Sequence, residues 1–282
     1  MLYLVATPIG NLKDISQRAT DALRSCDYIA SEDTRHTLQL LNALGIKKKL
    51  VSYHEHNKDE SGQRILKDIM EGKNVCLVTD AGCPAISDPG EDLVKLMHEN
   101  SQPVTVIPGA CAAISALMLS PFSSKRFCFE GFPPAKAGER KAFFERLVNE
   151  ERTAIVYEAP HKLMKTLQTA RKILGDDRRI SLVKEITKIH ETVFVDTLKT
   201  VSEYFETNEP KGEYVLVIEG AVKDKAEKKD IPQTEDIEKT VKNRYEELIN
   251  NGFTRKDAMR KIAVDNHLSR NEVYSLLLRI LG

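Results

Sequence analysis

The sequence predicts two α/β domains with a cleft between them, followed by a small all-helical domain of helix-turn-helix type. Short apolar strand patterns alternate with helical patterns up to residue 221, which is typical of sheets with crossover helices. A segment rich in Ser and Pro at 120–124 interrupts these patterns and divides the region in two. After residue 236 only helical patterns remain. The predicted domains are 1–119, 120–221 and 237–282, with a charged linker at 222–236.

The first domain is predicted to contain a mostly parallel sheet. Its strands are expected at 2–6, 28–31, 50–53, 74–79 and 103–107. In the second domain the last strands follow one another closely, which favours a mixed sheet with antiparallel pairs. Its strands are expected at 127–132, 153–157, 180–186, 192–198 and 214–218. Two adjacent α/β domains create a cleft, which is a common place for a small-molecule site.

Composition excludes several classes of protein. The net charge of the chain is zero, so a polyanionic partner has to be met by a local basic patch. Trp is absent and aromatic residues are sparse, which argues against a base-stacking surface for single strands. The longest apolar-rich stretch, 104–122, is interrupted by Pro108 and Gly109. We therefore expect no membrane span and no signal peptide, and a cytoplasmic location.

The cysteines and histidines predict no metal site. The cysteines are odd in number and form no C-x-x-C motif, so free thiols are expected. They are Cys26, Cys76, Cys83, Cys111 and Cys128. His54 and His56 lie on one face of a strand end, but no third ligand is evident and two exposed histidines explain the pair more simply.

The loop at 80–90 is the most informative segment. It follows an apolar run and contains two Gly, two Pro and two Asp, which hold the backbone out of regular structure. A rigid polar loop at the carboxyl end of a strand is where open α/β sheets bind ligands. Related loops at 7–11 and 108–110 follow two further strands. A plain strand-to-helix turn is the alternative, while the dinucleotide and P-loop glycine motifs are absent.

Two clusters of ionisable residues are candidates for chemistry, at 31–36 and 184–191. So many ionisable groups at one strand end need partners, either one another or a ligand. In the simpler interpretation Asp33 or Thr34 caps the following helix, and 184–191 is a solvated loop with local ion pairs. Arg35 has the planar guanidinium that holds a phosphate through two hydrogen bonds.

The C-terminal region is predicted to form three short helices. Capping-box patterns begin at Thr254 and Ser269, and two short helices with a tight connection indicate a helix-turn-helix. Basic residues outnumber acidic ones between Arg255 and Arg279. A solvated face of a packing domain explains this excess as well as nucleic-acid binding does, and composition alone favours the solvated face.

Seven motifs occur in order along the chain, at 6–12, 32–35, 80–90, 130–132, 157–161, 185–188 and 212–215. They resemble the tetrapyrrole-methylase-like superfamily, and within it the branch of ribosomal small-subunit RNA methyltransferase I. The resemblance spans 2–220, and the tail from Arg255 to Tyr274 is similar to that branch as well. The first loop lacks the glycine-rich form of the tetrapyrrole branch, which speaks against a porphyrinoid substrate.

The resemblance implies a homodimeric enzyme that uses S-adenosylmethionine. It implies methylation of a cytidine ribose 2′-hydroxyl in the decoding region of 16S rRNA, on free rRNA or the 30S subunit, with neither DNA nor a membrane as partner. The cofactor is expected to bind folded in the cleft, largely through backbone groups. Its expected contacts are Pro8, Gly82, Pro84, Ala85, Ile86, Ser87, Ser115, Ala116, Tyr157 and Glu158.

A ribose hydroxyl is a weak acid, so a base or a cation is expected beside it. We expect Glu185 as the base and Lys188 as an electrostatic stabiliser, with Glu32, Asp33 and Arg35 orienting RNA or sharing that work. Phosphate contacts are expected from Arg35, Arg255, Lys256, Arg260, Lys261 and Arg270. Two alternatives remain open: a methylase of a tetrapyrrole or other small acceptor, and a non-catalytic RNA-binding assembly factor.

Overall fold

The computed structural model describes residues 1–221, 234–250 and 252–265, together with Val273 and Leu277. The chain divides into two compact units, Met1–Ala221 and Val222–Gly282. Within the described ranges, no helix has both the length and the apolar character needed to cross a membrane.

The first part of Met1–Ala221 is a parallel five-stranded sheet, as predicted. Its strands are Leu2–Val5 (β1), Tyr28–Ser31 (β2), Leu50–Ser52 (β3), Val75–Val78 (β4) and Val104–Ile107 (β5). They lie in the order β3-β2-β4-β1-β5, and all pairs are parallel. The helices between and after them are Gln17–Ser25 (α1), Thr34–Ala43 (α2), Lys58–Met70 (α3), Glu91–Glu99 (α4) and Ala112–Leu119 (α5).

Apolar side chains cover both faces of this sheet. In β2, Tyr28 and Ala30 pack into one core, with Ile65 of α3, while Ile29 packs into the other, with Leu23 of α1. Successive residues of a strand point to opposite faces. This explains why β2 and β4 are buried at every position and read as continuous apolar runs.

The second part of the same unit is a mixed five-stranded sheet, also as predicted. Its strands are Phe127–Gly131 (β6), Thr153–Glu158 (β7), Arg179–Lys184 (β8), Thr192–Thr197 (β9) and Tyr214–Ile218 (β10). Their order is β6-β7-β10-β8-β9, with β6 parallel to β7 and the other neighbours antiparallel. The helices of this part are Ala137–Glu145 (α6), Pro160–Leu174 (α7) and Leu198–Thr207 (α8).

Helix α5 joins the two sheets. It follows β5 in sequence, yet Ala113, Ala116 and Leu117 pack against Ile155 of β7 and Val215 of β10. The chain thus passes from the first sheet directly into a helix of the second core, and the two sheets lie in one compact unit.

The C-terminal unit contains Thr234–Asn250 (α9) and Arg255–Asp265 (α10). The hydroxyl of Thr254 accepts a hydrogen bond from the backbone N–H of Asp257 at 3.3 Å, as the predicted capping box requires. Leu248, Ile262, Val273 and Leu277 contribute to a small apolar core. Apart from its residues 273 and 277, the predicted third helix lies outside the described residues, as does most of the predicted linker.

Candidate active site

A cavity of about 510 Å³ lies between the two sheets of Met1–Ala221, where the loops after β2, β4 and β7 meet. Of the residues expected from the sequence, it is lined by Glu32, Gly82, Ile86, Ser87, Tyr157 and Glu158. Its wall also contains residues to which the sequence assigned no role, among them Cys83, Asp88, Cys111, Phe132 and Glu213. Strand β10 runs antiparallel to β7, so its start lies at the same edge as the end of β7.

Unusual backbone conformations surround the cavity. Ala85, Ser87, Glu185 and Thr187 adopt positive φ values of 67°, 64°, 52° and 66°. Non-glycine residues occupy this region at a cost of about 1 kcal/mol or more, and such strain concentrates at functional sites. These four residues lie in two loops, one after β4 and one after β8, and each loop contributes residues to the wall of the cavity.

Gly82 brings the first loop and the 80–90 loop together. Thr7 and Gly82 exchange two backbone hydrogen bonds, of 2.8 and 3.2 Å. A Cβ atom on Gly82 would lie 3.3 Å from Ile9 Cγ2, and the glycine itself has φ of 89°. The glycine therefore permits both the turn and the close approach of the two loops.

Three carboxylates stand at the carboxyl ends of β2 and β4, namely Glu32, Asp80 and Asp88. Glu32 accepts a hydrogen bond from the Thr79 hydroxyl at 3.2 Å, and Asp80 accepts one from the backbone N–H of Asp33 at 3.2 Å. Burial, reinforced by the negative charge of Glu32, raises the pKa of Asp88 to about 6. The pKa of the Asp88 carboxyl group is therefore close to neutral pH.

Asp33 and Arg35 pair with each other beside the cavity, and neither lines it. Asp33 caps α2 by accepting the backbone N–H of Arg35 at 2.8 Å. The guanidinium of Arg35 binds the same carboxylate through two hydrogen bonds of 3.0 and 2.7 Å. This pairing holds the pKa of Asp33 well below its usual range. The simpler interpretation, a helix cap, thus accounts for Asp33.

Glu185 and Lys188 form an ion-pair cluster with Glu213. The Glu185 Oε1 atom accepts the Glu213 backbone N–H and the Lys188 ammonium, both at 2.9 Å, and Lys188 also contacts the Glu213 carboxylate at 2.7 Å. Burial opposes ionisation of Glu185, but these donors outweigh it and hold its pKa below the usual range. Glu213 lines the cavity, whereas Glu185 and Lys188 do not.

Two glycines fit closely around this cluster. A Cβ atom on Gly212 would lie 2.6 Å from Glu185 Cδ, and one on Gly10 would lie 2.5 Å from Lys188 Cγ. Real Cβ contacts are never this short, so both positions require glycine as the backbone stands. The loop after β1 therefore packs directly against the loop after β8.

Tyr157 and Glu158 complete the wall from the end of β7. The phenol of Tyr157 accepts the backbone N–H of Ala113 at 3.0 Å, and burial raises its pKa to about 12. Its ring packs against Phe132 with a centroid distance of 5.4 Å. The Glu158 carboxylate, only 3% exposed, accepts the Thr166 hydroxyl and the Ala159 backbone N–H.

Four of the expected cofactor contacts do not line the cavity: Pro8, Pro84, Ala85 and Ala116. Ser115, which does not line it either, donates its hydroxyl to the Cys111 carbonyl at 2.8 Å. The sequence signal for Asp88 was its place in the 80–90 loop, next to the expected cofactor contacts Ile86 and Ser87. The sequence signal for Phe132 was its place in the family motif at 130–132, and in the structure it is 54% exposed directly after β6.

The basic residues of the C-terminal unit are described only in part. Arg255 and Lys261 are exposed on α10, and the Lys261 ammonium lies 5.1 Å from the centroid of the Phe253 ring. Lys256 and Arg260 also belong to α10, but their side chains lie outside the described part of the chain, as does Arg270. In the described ranges, no group of three or more His, Cys, Asp or Glu residues is arranged to hold a metal ion.

Comparison with solved structures shows the same fold. A diphthine synthase matches with a TM-score of 0.58 and 15% identity, covering 78% of this chain and 90% of the other. Uroporphyrin-III-C-methyltransferase from Thermus thermophilus matches with a TM-score of 0.54 and 17% identity, over 77% of this chain and 93% of the other. Identities this low establish the fold alone.

Sequence comparison is more specific. Residues 1–202 match the family model described as tetrapyrrole (corrin/porphyrin) methylases. Ribosomal RNA small subunit methyltransferase I of Synechocystis sp. is 43% identical over 99% of this chain and 98% of its own length. The protein of that name from Bacillus subtilis is 42% identical over 97% of this chain and 92% of its own. The chain therefore belongs to the tetrapyrrole methylases and, among them, to the family of ribosomal RNA small subunit methyltransferase I.

Proposed function

We propose that this chain transfers a methyl group from S-adenosylmethionine to the ribose 2′-hydroxyl of a cytidine in the decoding region of 16S rRNA. The observation that carries the proposal is the cavity between the two sheets, whose walls are the loops that contain the family motifs. Full-length relatives named for methylation of small-subunit ribosomal RNA support the choice of substrate.

The residues of the cavity fit S-adenosylmethionine. Glu32, Asp80 and Asp88 provide negative charge for a cofactor with a cationic sulfur and amino group, and Phe132 and Tyr157 provide aromatic surface for its adenine. A volume of about 510 Å³ is ordinary for a small-molecule site. When bound, the cofactor supplies an already activated methyl group, so the chain has to orient the acceptor and take up its proton.

Asp88 is the proton acceptor that we propose for the ribose hydroxyl. It lines the cavity, and its raised pKa lets it accept a proton near neutral pH. Glu185, the base expected from the sequence, already accepts two hydrogen bonds and has a lowered pKa. In this proposal Glu185 and Lys188 instead hold the loop after β8 against the loop after β1.

Arg255 and Lys261 are proposed to contact RNA phosphates, which position a substrate without reading its sequence. We also propose a homodimer. Val106 on the edge strand β5 is 58% exposed, and Met118 on α5, the helix that follows β5 in the chain, is 79% exposed. Large apolar side chains with this exposure, one of them on an edge strand, are typical of surfaces that a second copy covers.

The test is transfer of labelled methyl from S-adenosylmethionine to 30S subunits that lack the modification, followed by nucleoside analysis. We expect 2′-O-methylcytidine as the product. Protein that binds the cofactor but labels neither 30S subunits nor free rRNA would exclude this substrate and favour a small acceptor. Protein that binds 30S subunits but neither binds nor uses the cofactor would support the assembly-factor alternative.

Two matched variants identify the base. Asp88→Asn is expected to lower the rate constant of methyl transfer about 100-fold, within the range for loss of a general base. Glu185→Gln keeps the shape of the cluster and is expected to change this rate less. In the wild type, the rate is expected to rise with pH through the pKa of Asp88. A larger loss in Glu185→Gln, with Asp88→Asn active, would contradict the assignment.

A further inference from the structure

Two cysteines face each other in the wall of the cavity. Cys83 lies in the loop after β4, Cys111 lies directly before the first residue of α5, and both side chains are partly accessible. The two side chains influence each other's ionisation, and the Cys83 thiol donates its hydrogen to the carbonyl of Ala110, the residue before Cys111, at 3.4 Å. Neither thiol has a role in the proposed methyl transfer.

The surroundings favour the thiolate form of Cys111. The neighbouring Cys83 side chain is the largest influence, and the backbone N–H of Ile114 in the first turn of α5 acts in the same direction. Together they lower the pKa of Cys111 despite its partial burial. A thiolate at a helix N-terminus is the form that reacts with electrophiles and oxidants.

The remaining cysteines have different surroundings. Cys26 and Cys76 also neighbour each other, but they are buried at 2% and 0% exposure in the core under α1. Cys128 has no second cysteine beside it, and burial raises its pKa to about 11. The chain thus carries one accessible pair, one buried pair and one single thiol, and the last two serve as internal controls.

We infer that Cys83 and Cys111 form a reactive dithiol site, which a hydroperoxide oxidises to a disulfide across the wall of the cavity. The Cys111 thiolate attacks one peroxide oxygen, the O–O bond breaks, and a sulfenic acid forms while the other oxygen leaves as water or an alcohol. The Cys83 sulfur then attacks the Cys111 sulfur and releases water. Two electrons pass from the thiols to the peroxide, and a dithiol reductant reverses the reaction.

The disulfide would tie the 80–90 loop to the start of α5, and both segments line the cavity. Gly82, next to Cys83, is bonded to Thr7 of the first loop, so the cross-link acts on three segments of the wall. This consequence rests on the proposed function. We expect the affinity for S-adenosylmethionine to fall about tenfold on oxidation, a coupling of ordinary size.

The site itself is tested by peptide mapping of the full chain after treatment with hydrogen peroxide and alkylation of the remaining thiols. The expected product is a peptide pair joined through Cys83 and Cys111, which dithiothreitol separates, while Cys26, Cys76 and Cys128 remain alkylatable. Cys83→Ser is expected to stop at a sulfenic acid on Cys111, trapped by dimedone. Cys111→Ser is expected to lose the rapid reaction, and Cys128→Ser to behave as wild type.

Several results would overturn the inference. One is that both Cys83 and Cys111 are still alkylated after peroxide treatment. Another is that peroxide oxidises Cys128 as fast as Cys111. A third is that the rate of peroxide oxidation is the same in Cys111→Ser as in the wild type. Calorimetry with S-adenosylmethionine then separates the two proposals. Equal affinity in both redox forms would overturn the effect on the cavity, whereas no binding to either form, with the disulfide present, would refute the proposed function alone.

Discussion

The phenol of Tyr157 accepts a hydrogen bond from the backbone N–H of Ala113, at 3.0 Å. Tyr157 belongs to the second sheet, while Ala113 lies in the first turn of the helix that follows the first sheet. The bond uses one of the N–H groups that a helix leaves unpaired at its start. It fixes α5 on the second sheet and so shapes the cavity between the two halves.

Replacing Tyr157 by Phe is expected to lower the free energy of unfolding by about 1 kcal/mol, because the N–H of Ala113 loses its acceptor in a partly buried place. Urea unfolding of the purified protein measures this difference. Tyr204→Phe is the control, since that side chain is half exposed and its ring still packs on Phe205. Equal losses in the two variants would refute the role of the bond.

Replacing Gly212 by Ala is expected to destabilise the protein by about 1–3 kcal/mol. The residue has φ of 84°, and its new methyl group would overlap the Glu185 carboxylate. Gly138→Ala is the matched control, because Gly138 lies in α6 with no atom within 4 Å of the added Cβ. That variant is expected to gain about 0.5–1 kcal/mol from the stiffer unfolded chain. Chemical denaturation compares the two, and a stable Gly212→Ala would be inconsistent with the observed packing.

Replacing Thr166 by Val is expected to cost about 1–3 kcal/mol, since it removes a donor from a buried carboxylate. Thr166 is fully buried and its hydroxyl donates to Glu158. Thr166→Ser retains the donor and is expected to be closer to wild type. Unfolding curves of the three proteins at pH 7 measure the effect. A Val variant as stable as the Ser variant would show that the bond contributes nothing.

The pKa of Asp88 predicts how stability depends on pH. In the folded protein this pKa is about 6, against about 3.9 in an unfolded chain. The folded state therefore holds the proton of Asp88 more tightly than the unfolded chain does, and this proton binding contributes to the stability of the fold. The contribution is complete below about pH 4 and is lost as pH rises through the folded pKa. Asp88→Asn removes the ionisation altogether.

We therefore expect Asp88→Asn to be more stable than wild type at pH 7.5, by about 1 kcal/mol after allowance for the partial exposure of the side chain. The difference is expected to close towards pH 4. Denaturant unfolding over this pH range measures it, and it is independent of activity. A difference that stays constant with pH would show that the carboxyl group of Asp88 titrates normally.

Much of the fold was predictable because the signals are local. All ten strands lie within two residues of their expected bounds, since alternation of apolar runs and turn residues is a property of short segments. The 80–90 loop was predicted as a cavity wall for the same reason. Gly permits turns that other residues disfavour and Pro fixes φ wherever they occur, and in this loop Ala85 and Ser87 adopt positive φ.

The tertiary structure decided which side chains meet at the site. The sequence alone determined the order of the strands along the chain, the motifs of the family and the presence of two clusters of ionisable residues. It did not determine that β10 inserts between β7 and β8, that Glu185 pairs with Lys188, or that Asp88 faces the cavity. The state of a carboxylate depends on its neighbours and its burial. Both are set by contacts between residues far apart in the chain, and a single sequence does not encode these in any local pattern.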